Sequence, residues 1–167
     1  MKITIREESE FLSLVNKEIY QVFLFSSKCP FPFPFARHYW FVENQKGNLR
    51  RIEVFNTLNK KSKLGYFRNS DREFSKALNK YLLKKELHWK ESQIENIIDG
   101  EYAKKLIWAL EDSITNYPFK DKYCIYPGPN SNTFAQWILN KIPELKIKLS
   151  WNSFGKDYWD YLESFQR

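Results

Sequence analysis

Apolar and polar positions divide the chain into stretches of different period. Ile19 to Phe25 is almost wholly Ile, Tyr, Val, Phe and Leu, the pattern of a buried strand. His38-Tyr39-Trp40-Phe41-Val42 and Arg51-Ile52-Glu53-Val54-Phe55 are two further strands. The Gln45-Lys46-Gly47-Asn48 turn between them predicts a β-hairpin centred on Gly47. Ser70-Asp71-Arg72-Glu73 fits a capping box, and Phe74, Ala77, Leu78, Tyr81 and Leu82 follow at helical spacing. A second helix is expected over about 101–116, with Ala103, Leu106, Ile107, Leu110 and Ile114 on one face and Asn116-Tyr117-Pro118 ending it. Lys122 to Tyr126 reads as a short strand or extended run into Pro127-Gly128-Pro129. A third helix carries Phe134, Trp137, Ile138 and Ile142 on one face and stops at Pro143. The tail, Ile147 to Trp159, mixes a short strand with an aromatic cluster. Strands first and helices after predict an α+β fold, a single domain over residues 1–167 with a small antiparallel sheet packed on helices.

Composition narrows the function classes. At 167 residues, with 43% hydrophobic and 18% aromatic residues, the chain has the material for one real core. Lys and Arg number 27 against 20 Asp and Glu, a net charge of +7. The positive residues are scattered among acids, and the densest run, Asn59-Lys60-Lys61-Ser62-Lys63, reads as a solvated loop. Nucleic-acid binding therefore ranks last. The apolar runs are too short for a membrane span, and the charged start shows no secretory signal, so the expected location is cytoplasmic. Two cysteines, Cys29 and Cys124, form no disulfide framework or zinc spacing, and Cys124 is expected as an inert residue on a buried strand. Two histidines, His38 and His88, leave little for a metal site, and no cofactor is expected. His88 reads as solvent-facing at a helix end.

Cys29-Pro30-Phe31-Pro32-Phe33-Pro34-Phe35 cannot be a helix or a central strand, because its prolines alternate. It is expected as an extended loop whose phenylalanines form a core lid or, on a second reading, a pocket wall. The segment with chemical character is Tyr126-Pro127-Gly128-Pro129-Asn130-Ser131-Asn132-Thr133-Phe134. A rigid turn runs through four small polar residues into an amphipathic helix. Either Thr133 caps that helix with Gln136, or Asn130 caps it and Ser131 is its first residue. In both cases Ser131 lies where unpaired N–H groups point outward and can hold an oxyanion at roughly 2.7–3.1 Å. The same four residues also suit a plain N-cap. His38 is the candidate base, and Glu53 on the next strand is the candidate to orient it. The Asn130 and Asn132 amides are candidate oxyanion donors, with Trp40, Phe35 and Trp151 as pocket residues.

The Pro127-to-Phe134 string resembles an uncharacterised family catalogued as domain of unknown function 3750. Ala36-Arg37-His38-Tyr39-Trp40 resembles that family's Ala-x-His-x-Trp strand, and Ile52-Glu53-Val54 its Tyr-Glu-Val strand. Tyr117-Pro118-Phe119 and Phe154-Gly155-Lys156-Asp157-Tyr158 are similar to its Tyr-Pro-Tyr and Ile-Gly-Lys-Asp-Tyr motifs, while Gly65-Tyr66-Phe67-Arg68-Asn69 departs from its Tyr-Trp-Phe-Gly-Asn. More distantly, Asn130-Ser131-Asn132-Thr133-Phe134 resembles the Asn-Cys-Asn-x-Phe string of circularly permuted papain-like proteins. These include the PPPDE-type peptidases, the NlpC-like proteins and the lecithin-retinol acyltransferase-like proteins. There an early-strand histidine precedes a cysteine at a helix start. The resemblance implies a permuted papain-like core and an acyl-hydrolase or acyltransferase site, with serine in the cysteine's place. Serine cannot form the thiolate–imidazolium pair and needs general-base help during attack. The alternative is a binding module for a peptide, glycan or acyl group that keeps the fold without the thiol.

Overall fold

The computed structural model describes residues 2–29, 33–56, 65–70, 92–119 and 122–164. The helix expected after Asp71, His88 and the Lys60–Lys63 run lie outside them. The fold is α+β, built on an antiparallel sheet of six strands. In chain order these are β1 (Ile3–Ile5), β2 (Tyr20–Lys28), β3 (Arg37–Gln45), β4 (Asn48–Asn56), β5 (Gly65–Ser70) and β6 (Ser92–Asp99). They lie in the order β1-β6-β2-β3-β4-β5. The helices are α1 (Glu8–Leu12), α2 (Gly100–Asn116), α3 (Ser131–Asn140) and α4 (Tyr158–Ser164), with a 3-10 turn at Pro143–Leu145.

The continuous apolar run of β2 follows from burial on both faces. Val22 and Leu24 join Tyr39, Phe41, Ile52 and Val54 in the cluster that receives α2 and α3. Phe23 and Phe25 join Trp40, Val42, Ile94 and Phe11 on the other side. Successive residues of a strand point to opposite faces, so one apolar segment serves two cores. The β3–β4 hairpin turns at Lys46-Gly47, both at positive φ, as the sequence predicts. Phe134 anchors α3 to the sheet, edge-on to Tyr117 with ring centroids 5.1 Å apart and to Phe41 at 6.4 Å.

Several expectations are corrected. Cys124 is exposed and lies in irregular backbone rather than on a buried strand; its thiol donates to the Tyr126 carbonyl at 3.0 Å. The tail forms turns and then α4, with no strand between Ile147 and Trp159. The Pro/Phe loop closes between Cys29 N–H and the Ala36 carbonyl at 2.8 Å, and it leaves Phe33 and Phe35 exposed instead of laid over the core. Three strands went unread. β1 and β5 are short, and β6 is laced with polar residues that are used there: Glu95 pairs with Lys2 at 2.9 Å, and Gln93 accepts from Arg37.

Candidate functional site

Residues distant in the chain meet at the N-terminus of α3. Asn130 is the cap, and Ser131 is the first helical residue. The Asn130 side-chain oxygen accepts from the N–H groups of Asn132 (2.9 Å) and Thr133 (3.2 Å). The Asn130 N–H in turn donates to Thr133 Oγ1 at 3.0 Å, which closes a capping box with asparagine and threonine in its two seats. The Asn130 NH2 donates to the carbonyls of Ile125 (2.9 Å) and Phe154 (3.0 Å) and so ties two loops to the cap. Gly155, at φ +88°, passes so close that a Cβ there would lie 2.3 Å from Asn130 Nδ2. Only glycine fits both that backbone angle and that space.

Asn132 locks the same helix end to β3. Its side-chain oxygen accepts from the Tyr39 N–H at 3.1 Å, and its NH2 donates to the Arg37 (2.8 Å) and Phe154 (3.0 Å) carbonyls. The two bonds flank His38 in sequence and fix its backbone against the helix. Each NH2 of Asn130 and Asn132 therefore makes two bonds within the protein, which accounts for both of its hydrogens.

Ser131 Oγ lies 2.6 Å from His38 Nδ1, and His38 Nε2 lies 2.9 Å from Glu53 Oε2. Arg51 grips Glu53 side-on, with Nε 2.9 Å from Oε1 and Nη2 2.9 Å from Oε2. Burial would raise the Glu53 carboxyl, but the Arg51 guanidinium and the His38 ring overcome it and hold the carboxyl at about 2. An ionised Glu53 only accepts, so His38 carries its proton on Nε2 and presents Nδ1 as an acceptor. Ser131 then donates its hydroxyl proton toward Nδ1. The relay is oriented for general-base chemistry.

Trp40 is not a pocket wall. It is buried beneath the imidazole, stacked on His38 with centroids 5.7 Å apart, on Phe25 at 5.4 Å, and under the Arg51 guanidinium at 4.5 Å. Three exposed aromatics lie on the loops around the helix start: Phe35 is 56%, Tyr126 73% and Trp151 82% exposed. Phe154 makes edge contacts with both Phe35 (5.9 Å) and Tyr126 (6.4 Å). Ser131 itself is 4% exposed.

Two residues of this constellation were missed in the sequence. Arg51 had a readable signal, since it lies two positions before Glu53 on one face of a strand. Tyr123 had none. It comes near Ser131 only when the loop before Pro127 folds over the helix end.

Together these features define an α+β protein with a serine, a histidine and a carboxylate in one hydrogen-bonded line. The family model described as a protein of unknown function, DUF3750, matches residues 19–158, and the chain belongs to that family. No curated protein and no solved structure matches it. Among the described residues, no helix is long and apolar enough to cross a membrane, and no group of three or more His, Cys, Asp or Glu is placed to hold a metal ion.

Proposed function

We propose that this chain is a papain-like-fold acyl hydrolase or acyltransferase in which Ser131 is the nucleophile, His38 the base and Glu53 the group that orients it. The observation that carries the reading is the unbroken line from Ser131 Oγ through His38 to Glu53, at 2.6 and 2.9 Å. Support for the papain-like part is chain order: a histidine opening an early strand, then a nucleophile on the first turn of a later helix. Ser131 Oγ attacks an acyl carbon while its proton passes to His38 Nδ1. Glu53, held ionised by Arg51, stabilises the resulting imidazolium and keeps Nε2–H aimed. The aromatic rim of Phe35, Tyr126 and Phe154 suits an apolar acyl portion.

An alkyl fluorophosphonate, which reacts only with an activated serine, tests this. The expected result is a phosphonyl adduct on the peptide bearing Ser131, found by mass spectrometry and absent in Ser131→Ala. Labelling is expected to slow by ~10² or more in His38→Gln, the usual loss for a positioned base. The near-complete burial of Ser131 favours a second reading, a binding module for a peptide, glycan or acyl group in which the serine is part of the helix frame. That reading requires folded protein that never labels.

A further inference from the structure

Exposed apolar side chains gather at the end of the sheet where α3 begins. Phe33 and Phe35 on the loop between β2 and β3, Ile125 and Tyr126 on the loop before α3, and Trp151 on the loop before α4 are all exposed. Ring contacts run unbroken across these loops. Phe33 meets Phe35 edge-on with centroids 6.2 Å apart, Phe35 meets Phe154 at 5.9 Å, and Phe154 meets Tyr126 at 6.4 Å. Trp151 stands beside Asn152, whose NH2 donates to the Phe35 carbonyl at 2.6 Å and whose carbonyl accepts from the Arg37 N–H at 3.1 Å. The Pro/Phe loop is closed by Ala36 N–H to the Phe33 carbonyl at 2.9 Å, and the Asn130 NH2 joins the Ile125 and Phe154 carbonyls. The rings are thus held in place before any partner arrives, which lowers the ordering cost of docking. A continuous exposed apolar patch of this kind marks a surface that a partner covers.

We propose that this patch docks the protein on an anionic lipid bilayer, with Trp151, Phe35 and Tyr126 entering the headgroup region and the lysines beside them meeting the lipid phosphates. Charge selects that occupant. Each loop opens on an exposed lysine: Lys28, Lys122 and Lys148. The described residues of the three loops, 28–29 and 33–36, 122–130 and 148–156, hold no Asp or Glu, although the chain has 20. Asp157, just past the third loop, is paired with Lys156. Trp and Tyr with lysines beside them are the composition of a membrane-interface anchor, each ring having an apolar body and a polar tip. Protein–protein interfaces use the same aromatics but favour arginine and are depleted in lysine.

The docking goes beyond the reaction proposed above and needs no chemistry at Ser131. It turns the start of α3 toward the bilayer, because the Phe154 carbonyl bonds both Asn130 and Asn132 and so builds the patch on that same helix end. Attachment of this kind rests on a few partly inserted rings and on lysine–phosphate attraction. It is therefore reversible and weakens as salt screens the charges.

Flotation of the full chain with vesicles of phosphatidylcholine alone, or of equal parts phosphatidylcholine and phosphatidylglycerol, tests this. The expected result is flotation with the mixed vesicles, weakened at high salt, and little with phosphatidylcholine. Trp151→Ala and Phe35→Ala together are expected to weaken binding ~10-fold or more. Lys28→Gln, Lys122→Gln and Lys148→Gln together are expected to weaken it by ~10², about fivefold for each lysine near an anionic surface. All five positions are exposed, and circular dichroism is expected to show both variants folded. Mixed vesicles with brominated acyl chains give a second readout. They are expected to quench the wild-type tryptophan fluorescence, and Trp151→Phe, which still floats, is expected to lose that quenching. Quenching that persists in Trp151→Phe means that another face inserts and overturns the proposal. No flotation with the mixed vesicles, or flotation indifferent to the aromatic and lysine variants, overturns it as well. A dimer that Trp151→Ala dissolves, with no flotation, assigns the patch to a second copy of the chain and also overturns it. The assay uses no reaction at Ser131, so its failure and the failure of the proposed reaction are read separately.

Discussion

At the residue scale the question is what an oxygen does in a place that suits sulfur. The Ser131 hydroxyl donates toward a histidine whose other nitrogen is held by a carboxylate, itself clamped by an arginine. A thiol in that position would give up its proton to His38, and the first turn of a helix favours the resulting negative charge. Ser131→Cys is therefore expected to create a thiolate that iodoacetamide alkylates at neutral pH. The expected rate is ~10-fold or more above those of the native cysteines, because only a low-pKa thiol is largely ionised there. Cys29, whose thiol burial pushes up, and exposed Cys124 serve as references in the same molecule. Peptide mapping after timed alkylation measures all three. Adding His38→Gln should return the introduced thiol to the reference rate; equal reactivity with and without His38 would mean that the imidazole does not activate position 131.

At the element scale, the start of α3 is held by side chains whose work is structural. Asn130→Ala removes four hydrogen bonds, two into the helix and two to the Ile125 and Phe154 carbonyls. The lost cap alone costs about 1–2 kcal/mol. Gly155→Ala is expected to cost more, because its Cβ would overlap the Asn130 amide at a backbone angle alanine resists. Chemical denaturation of both variants checks the order, and a Gly155→Ala protein as stable as wild type would refute the close packing. These contacts also show what a sequence can carry. The β3–β4 hairpin was legible because period-two apolar positions flank a glycine turn, and α2 because its apolar spacing is regular. The pairing of Ser131 with His38 was legible from helix-start chemistry and the presence of two histidines. The role of Asn132 was not, because its partners are backbone atoms 95 and 22 residues away, and no local pattern marks them. β6 stayed hidden because its polar residues face partners supplied from distant parts of the chain.

At the scale of the whole molecule, two buried glutamates set opposite pH responses. Glu53 has a folded-state value of about 2 against an ordinary 4.5, so its contribution is fully present above pH 4.5 and is lost as pH falls toward 2. The shift corresponds to about 3 kcal/mol. Glu43 on β3 is fully buried and displaced upward, because desolvation outweighs its hydrogen bonds from Arg50 (2.5 Å) and Gln45 (2.9 Å), and its Oε2 meets no hydrogen-bond partner. A folded state that binds this proton more readily than the unfolded chain gains stability as pH falls from neutrality toward 4.5. The two windows adjoin without overlapping, so wild-type stability should rise on mild acidification and then fall. Glu43→Gln keeps the shape and an acceptor for Arg50 while removing the charge, and it should abolish the rise and leave the fall. Urea denaturation in steps of half a pH unit from 7 to 3 measures both limbs. A Glu43→Gln protein that still gains stability between pH 7 and 5 would assign the rise to another group. Loss of the fall below 4.5 in the same variant would break the separation between Glu43 under α2 and the Arg51–Glu53–His38 line that serves Ser131.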